Sequence, residues 1–598
     1  MPPDIGRRML LQATGGGILG IGALGLPTSS AAHQAFGQRE PVTMAMHLHG
    51  SFSEGTASMD AHLQQAQRLG VDVLWWTDHD FRVAALGYRQ AVRFDGPSEP
   101  ENGLAWDWVS RADGGLASAR HDFIASPHSP DETGGALRFQ ATGRYEAEWA
   151  TYLLEGKAWN STYSTSYADT VLELDVLPES LSADAEVVVE VESSYRPATG
   201  GRPAGQYRLH YRVGARTGRW TEDSGRLGVI GVPAGNGWQR LRMDLRSDHA
   251  WLWPDTVAGD ASLKSLRVGV RARRGAAVQV VVDRLRFIRG RRSMEDGMAL
   301  VRRAARAYRT RYPHLTQYAA AEISLVNHLN AFGGDGTLPT YDTTQPIKNT
   351  TTTAQRQMIR ALHRRGALVS INHPRPGPDL SHSLVTNRGL GADVIEIGTG
   401  VQVERLAESF DVAARNAIFM TANGVTDDHA GSDWLDPRRQ RWITGVWSTS
   451  RRSADLCAAM DSGRAWFYDP LRWTGELDLL VDGHVPMGGA LLTSNRRVSV
   501  EVTATRMPRN GTLQFVIGRC DRAGTSELVT RNRNVLVPAS SVIRGHWSSN
   551  VMRGDGVYIR AMVRSADDFV VGFSNPVWVL PASLAAEIPI PRPRRHTD

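Results

Sequence analysis

The chain has 598 residues, of which 41% are hydrophobic and 22% charged, and a net charge of +6. That length exceeds a single hydrophobic core and implies roughly two to four domains. The composition excludes a disordered or fibrous protein, and two cysteines, Cys457 and Cys520, exclude a disulfide framework while leaving one pairing open. The basic residues are dispersed rather than blocked, so no nucleic-acid partner is expected.

The first 35 residues read as a leader. Arg7 and Arg8 precede the apolar run GGGILGIGALGLP, and Ser29, Ser30, Ala31 and Ala32 offer a cleavage site. This pattern is that of a twin-arginine export signal, which predicts a periplasmic or extracellular protein. The apolar run is shorter than the ~20 residues of a membrane span, and no stable span is expected once the leader is removed.

Residues 41–80 read as strand, helix, strand. VTMAMHLH is β-like, and Ser58 can cap a helix carrying Met59, Leu63, Ala66 and Leu69. Gly70 ends that helix, and VDVLWW reads as a buried strand. From about 100 to 290 the texture changes. Segments such as TVLELDVLP, AEVVVEVESSY and VQVVVDRLRFI, separated by Gly, Pro and Asp, predict an inserted β-sandwich of jelly-roll type. Trp residues in its loops make a glycan partner one reading, with a wall or scaffold for the site as the other; Trp238 and Asp283 serve either.

The βα alternation returns over 294–470. Helices are expected at 294–312, 353–365 and 404–415, with strands at QYAAAEIS, ALVSIN, ADVIEI and AIFMTA. Repeated βα units predict a parallel sheet, closed or nearly so, around which the sandwich is an interruption. Residues 475–585 read as a smaller terminal β-domain, and IPRPRRHTD as a disordered tail.

The chemistry-bearing residues fall at the ends of the αβ strands. HLHGSFSEG supplies His47, His49 and Glu54, and TDHD supplies Asp78 and His79. EISLVNHLNAFG supplies Glu322 and His328, SINHPRPG supplies His373, and NGVTDDHAG supplies Asp427 and His429. Two imidazoles at i and i+2 of a strand share a face. Strand C-termini are where parallel αβ folds build their sites. Imidazole and carboxylate suit zinc, iron and manganese, so His47, His49, Glu54, His79, Glu322, His328, His373, Asp427 and His429 are candidate metal ligands. Asp78 and Asp428 neighbour ligands and are candidates for acid catalysis or for orienting an imidazole. Arg375, just past His373, is a candidate contact for an anionic oxygen. Outside these motifs, His62, His121, His128, His210, His249, His314, His363, His382, His484 and His546 read as isolated, with His62 exposed on its helix.

HxH, TDH, a Glu followed by His, HP and a final DxH, in this order, resemble the PHP (polymerase and histidinol phosphatase) family of metal-dependent hydrolases. The likeness covers 41–80 and 294–470. It implies a distorted (β/α)7 barrel, two or three divalent ions (manganese, zinc or iron) on the nine candidate ligands, and Glu322 as a bridging carboxylate. Glu54 departs mildly, since the family often has Asp in that loop. More loosely, EISLVNHLNAFG resembles the carbaryl-hydrolase-like branch. Paired cations activate water and stabilise developing negative charge. The expected activity is therefore a phosphoesterase, with hydrolysis of carbamates or carboxylic esters as the alternative. A small-molecule or polymer-linked ester is the expected substrate. A binding protein with a structural metal site is the reading from outside enzymes.

Overall fold

The computed structural model describes residues 39–597 except 86–90, 93, 102–103, 113–114, 131, 159–164, 338–347, 433, 440, 496, 523, 525–529 and 537–555. The expected leader and His546 lie outside the described residues. No helix among the described residues is long and apolar enough to cross a membrane.

The αβ frame supplies ten strands. These are β1 (Glu40–Leu48), β2 (Val73–Trp76), β3 (Thr316–Ala319), β4 (Ala321–Ile323), β5 (Leu329–Gly333), β6 (Ala367–Ile371), β7 (Val394–Gly398), β8 (Thr421–Gly424), β9 (Ile443–Ser448) and β10 (Ala465–Tyr468). One sheet runs β3-β2-β1-β9-β10, and a second runs β4-β5-β6-β7-β8. β3, β2 and β1 are parallel, but β9 is antiparallel to both β1 and β10.

The sheet is therefore mixed, not wholly parallel, and the described strands do not close into one hydrogen-bonded barrel. Single bridges join the two sheets at their seams, His79 to Glu322 and Leu48 to Asp428. The reason is local. QYAAAEIS, expected as one strand, breaks at Ala320 and serves both sheets. Asp427 takes a φ of 44°, in the left-handed region outside the extended range of a regular strand. Ladders stop where the chain turns to aim site residues inward.

Local signals place the helices well. Ser58 caps Met59–Leu69 by accepting from the Ala61 N–H, and Gly70 closes it in the left-handed conformation at φ 66°. Ser293 caps Met294–Ala307, which ends before the expected Tyr312 because residues 308–311 form turns. Thr352–His363 and Val403–Arg415 match their expected ranges within two residues. AIFMTA begins its strand late, at Thr421, because Ala417 sits at φ 51°.

The insert is a two-sheet body of eight and six strands with a hydrophobic core of its own. TVLELDVLP, AEVVVEVESSY and VQVVVDRLRFI are the strands Thr170–Leu181, Ala185–Arg196 and Ala277–Arg289. Asp283 is buried and accepts from the Ser129 and Arg284 N–H groups, a structural role.

Two expectations at the C-terminus are corrected. Leu477–Val481, Val485–Pro486 and Val500–Ala504 form a three-stranded sheet of their own, but Val570–Ser574, Gly556–Arg564, Val577–Pro581 and Ala490–Thr493 extend the first frame sheet beyond β10. They share one core with it, from Ala45 to Leu580, because β10 offers an open edge lined by Trp466 and Phe467. Nor is the tail disordered. Arg595–Thr597 adds a parallel strand beside Ala490–Thr493, and the buried Arg594 donates to Thr421 Oγ1 at 2.6 Å. Cys457 and Cys520 form no disulfide.

Candidate metal centre

Both histidines of HLH lie at the end of β1. The alternation of the strand turns them to one side, and their Nε2 atoms approach to 3.1 Å. His79 follows β2, Glu322 lies in β4 just past the break, and His328 precedes β5. His373 follows β6, and Asp427 and His429 follow β8. The separated segments meet at one place.

Glu322 is the hub. Its Oε1 lies 2.9 Å from His328 Nδ1, 3.2 Å from His373 Nε2 and 3.6 Å from His47 Nε2. Its Oε2 lies 2.7 Å from His79 Nδ1 and 3.6 Å from His49 Nε2. Glu54 makes a second focus, with Oε1 at 2.6 Å from His79 Nε2, 3.0 Å from His429 Nε2 and 3.4 Å from His49 Nδ1. Asp427 Oδ1 sits 3.5 Å from His47 and 3.4 Å from His49. All nine expected ligands thus belong to one network. Three overlapping subsets each bring their donor atoms within 4.8 Å: His49, Glu54, His79 and His429; His47, His49 and Glu322; His79, Glu322 and His328.

The floor is buried and the mouth is open. His47, His49, Glu322 and Glu396 are at most 1% exposed, whereas Glu54, His328, His373, Asp427 and His429 are partly exposed. Backbone strain collects here: His328, His373 and Asp427 take φ of 51°, 27° and 44°. Non-glycine residues hold such angles when surrounding contacts impose them, commonly at functional sites.

The electrostatics show mutual dependence. Burial alone would depress the His47 imidazole, yet Glu396, Asp427 and Glu322 hold it well above its usual value. Burial opposes charge on His79 too, and hydrogen bonds donated to the Glu322 and Glu54 carboxylates raise it to about 9. His49 goes the other way, pushed down to about 4 by burial and by His429. Against burial, the imidazoles keep Glu54, Glu322 and Asp427 well below the carboxylate range.

A cation fits this donor set. His49 Nδ1 is buried without a directed hydrogen bond, although Glu54 Oε1 lies 3.4 Å away. Lone pairs that face one another across such gaps are satisfied by a shared positive centre. Nitrogen and oxygen donors without thiolate match zinc, manganese or iron.

Asp78 and Asp428 stand behind the cluster. Asp78 accepts from the Gly50 N–H at 2.8 Å and from Ser53 Oγ at 2.5 Å, and burial raises its carboxyl to about 6. It fixes the loop that carries Glu54. Asp428 accepts from Gly431 N and Trp434 Nε1, pairs with Arg441, and its carbonyl receives the His49 N–H at 3.0 Å. Both are positioned to orient. Arg375 is exposed on the loop after His373.

The sequence reading missed three residues. Glu396, in β7, accepts from His47 Nδ1 at 2.9 Å and from the His373 N–H at 2.6 Å. Its signal was a carboxylate inside the buried strand ADVIEI. Asn372, just before His373, donates to Glu322 Oε1 at 2.9 Å. His62 is not exposed but fully buried, 3.3 Å from Asp428 Oδ2. Its position between Met59 and Ala66 already put it on the apolar face. Two histidines outside the cluster also have carboxylate partners, His210 with Glu190 and His363 with Asp393.

A partly buried ammonium borders the centre. Lys264, from the insert, donates to the Glu54 carbonyl at 3.2 Å. Burial pushes it down to about 8, against the pull of Glu54 and with the push of Arg82.

No protein-family model matches the chain, and no curated protein does either. Solved structures align with parts of it at low similarity. A two-domain protein from Bacteroides vulgatus, described as containing a predicted PHP-like metal-dependent phosphoesterase, is 14% identical with a TM-score of 0.23. The alignment covers 47% of this chain and 79% of that one. The catalytic domain of Humicola grisea Cel12A is 10% identical with a TM-score of 0.24, over 32% of this chain and 95% of that one. A family 30 carbohydrate-binding module of a Clostridium thermocellum cellulosomal cellulase is 11% identical with a TM-score of 0.17, over 33% and 90%. Likenesses this distant transfer neither fold nor activity.

Proposed function

We propose that the chain is an exported metal-dependent hydrolase of the PHP class acting on phosphate esters. The observation that carries this reading is the single network in which Glu322 and Glu54 gather six imidazoles, with Asp427 alongside. In this view the two facing sheets correspond to that family's distorted (β/α)7 barrel, opened at its seams. Two or three divalent ions, when bound, would activate water and draw off the negative charge that builds on the attacked group.

The protein's own contributions follow from the geometry. Glu322 sits between two donor subsets and would bridge them. Glu396 and Asn372 hold His47 and Glu322 in orientation, which leaves their remaining lone pairs aimed at the centre. Asp78 and the bonds it accepts keep the Glu54 loop folded over His79 and His429. The partly exposed mouth admits a substrate from solvent. The leader over residues 1–35 is the basis for reading the protein as exported.

A panel of aryl phosphates, phosphodiesters, carbamates and carboxylic esters, assayed with manganese and with zinc, tests the reaction class. Turnover of phosphate esters is expected, and His47→Ala should lose metal and activity together. Turnover of carbamates alone would replace the phosphoesterase with the ester-hydrolase alternative. A metal-replete, fully active His47→Ala enzyme would refute that ligand.

A further inference from the structure

The terminal tail and the start of β1 meet at a cleft away from the candidate metal centre. Pro593 and His596 of the tail wall one side of it, and Arg39, just before β1, lines it too. The end of β9 at Trp447, the helix Ser453–Asp461, Arg464 ahead of β10, and the turn at His484 and Pro486 close the rest. Its volume is about 400 Å³, the size of a small-molecule pocket. β1 runs from this cleft to His47, eight residues on, or roughly 25 Å at the rise of a strand.

We propose that this cleft binds a small organic anion, whose carboxylate or phosphonate head meets Arg39 and Arg464 and whose apolar body lies against Trp447 and Pro486. None of its lining residues belongs to the candidate metal centre, so the site stands apart from the hydrolase reading.

The lining carries two permanent cations. Arg464 is buried, and its backbone is fixed on both sides: its N–H donates to the Ala459 carbonyl at 2.9 Å, and its carbonyl receives the Trp447 N–H at 3.0 Å. Burial and the Arg39 charge work against the Arg464 guanidinium and outweigh the pull of Asp478, whose Oδ2 lies 3.8 Å from Nη2. The one acid among the described lining residues, Asp455, already accepts from the Ser450 hydroxyl and from Arg452 Nε at 3.0 Å. The imidazoles stay out of this count. Burial, with His484 and Arg464 beside it, holds His596 below its ordinary value, so that ring serves as a neutral hydrogen-bonding wall. Two guanidiniums that repel one another are stabilised together by a shared anion, and their planar forks match carboxylate and phosphonate oxygens. Trp447, Ala458, Ala459, Pro486 and Pro593 make the rest of the wall apolar, which suits an organic body behind the charged head and not a bare inorganic ion.

The test is calorimetric titration of the manganese-loaded full-length protein with benzoate, with phenylphosphonate, and with benzyl alcohol as the neutral counterpart. At least one of the anions should bind with a Kd below about 1 mM, and benzyl alcohol about tenfold more weakly or not at all. Binding of one anion alone would uphold the site and name its head group. Arg39→Gln should weaken the bound anion about tenfold at unchanged metal content and unchanged thermal unfolding temperature. Arg464→Gln should weaken it at least as much, and Arg464→Lys, which keeps the buried charge, should recover part of the loss. Should Arg464→Gln fail to fold, Arg39→Gln carries the test, since Arg39 is partly exposed. No anion binding by the wild type, or benzyl alcohol binding as tightly as the anions, would overturn the proposal. So would anion binding that Arg39→Gln and Arg464→Lys both leave at the wild-type affinity, which would place it at the metal centre.

Discussion

The candidate metal centre and the inserted sandwich both bury acids and histidines, and they balance them differently. In the insert, arginines answer the acids. Glu190 meets Arg267 and His210, Glu186 meets Arg271, Asp175 meets Arg240 and Glu222 meets Arg212. Among the cluster's acids, Glu322 and Asp427 meet imidazoles and Glu54 meets both imidazoles and Arg82, while elsewhere in the frame Asp428 pairs with Arg441 and Asp411 with Arg560. An arginine is permanently charged and completes a structural pair. An imidazole completes one only by holding a proton, and surrenders that proton to a metal. Buried acids answered by histidines are thus set up for a cation, and buried acids answered by arginines are set up for stability.

Substitutions should separate the two regions. Glu322→Gln removes the charge shared by five imidazoles and should give the largest effect: loss of bound metal and a fall in activity beyond about 100-fold, read by metal analysis and initial rates. Glu396→Gln comes next. It frees His47 to rotate, and metal affinity should drop about 10- to 100-fold while the thermal unfolding temperature changes little. Asp260→Ala leaves the Ser51 hydroxyl and the Met59 and Asp60 N–H groups around the Glu54 loop unanswered, at a cost of about 3 kcal/mol or more in denaturant unfolding, with a smaller loss of metal affinity.

Two pH effects have opposite addresses. His79 keeps its proton to about 9 without a cation, because Glu322 and Glu54 outweigh its burial. Metal uptake must expel that proton, so apparent affinity should climb as pH rises towards 9, with proton release seen by calorimetry in buffers of different ionisation heat. In the insert, His210 and Arg267 overcome burial and hold Glu190 at about 2, below the ordinary ~4.3. Its folded value is depressed, so its stabilisation is whole above about pH 4.3 and is lost as pH falls towards 2. Glu190→Gln should remove at most about 3 kcal/mol of that acid-sensitive stability and leave metal content untouched.

How legible was this in the sequence? Strand ends, helix caps and ligand spacing were visible because each is a local pattern: HLH on alternate positions, Ser58 before an apolar spacing, Gly70 after it. All nine candidate ligands entered one network for that reason. What stayed hidden needed long-range knowledge. Glu396 is a lone carboxylate in an apolar strand, and only folding brings it to His47. The break at Ala320 splits one apolar run between two sheets, and the run itself carries no turn residue to announce it. The C-terminal strands read as a separate domain because sequence shows their alternation but not the open edge of β10 that receives them. Grip of the insert on the Glu54 loop runs through Asp260, whose partners lie about 200 positions away.

Metal content per chain, measured by inductively coupled plasma spectrometry on protein reconstituted with manganese or zinc, tests the central claim most directly. Two or three tightly held ions per wild-type chain, and a sharp loss in Glu322→Gln, are the expected result. A chain that holds no divalent ion above background, or a Glu322→Gln variant as metal-rich as the wild type, would contradict it.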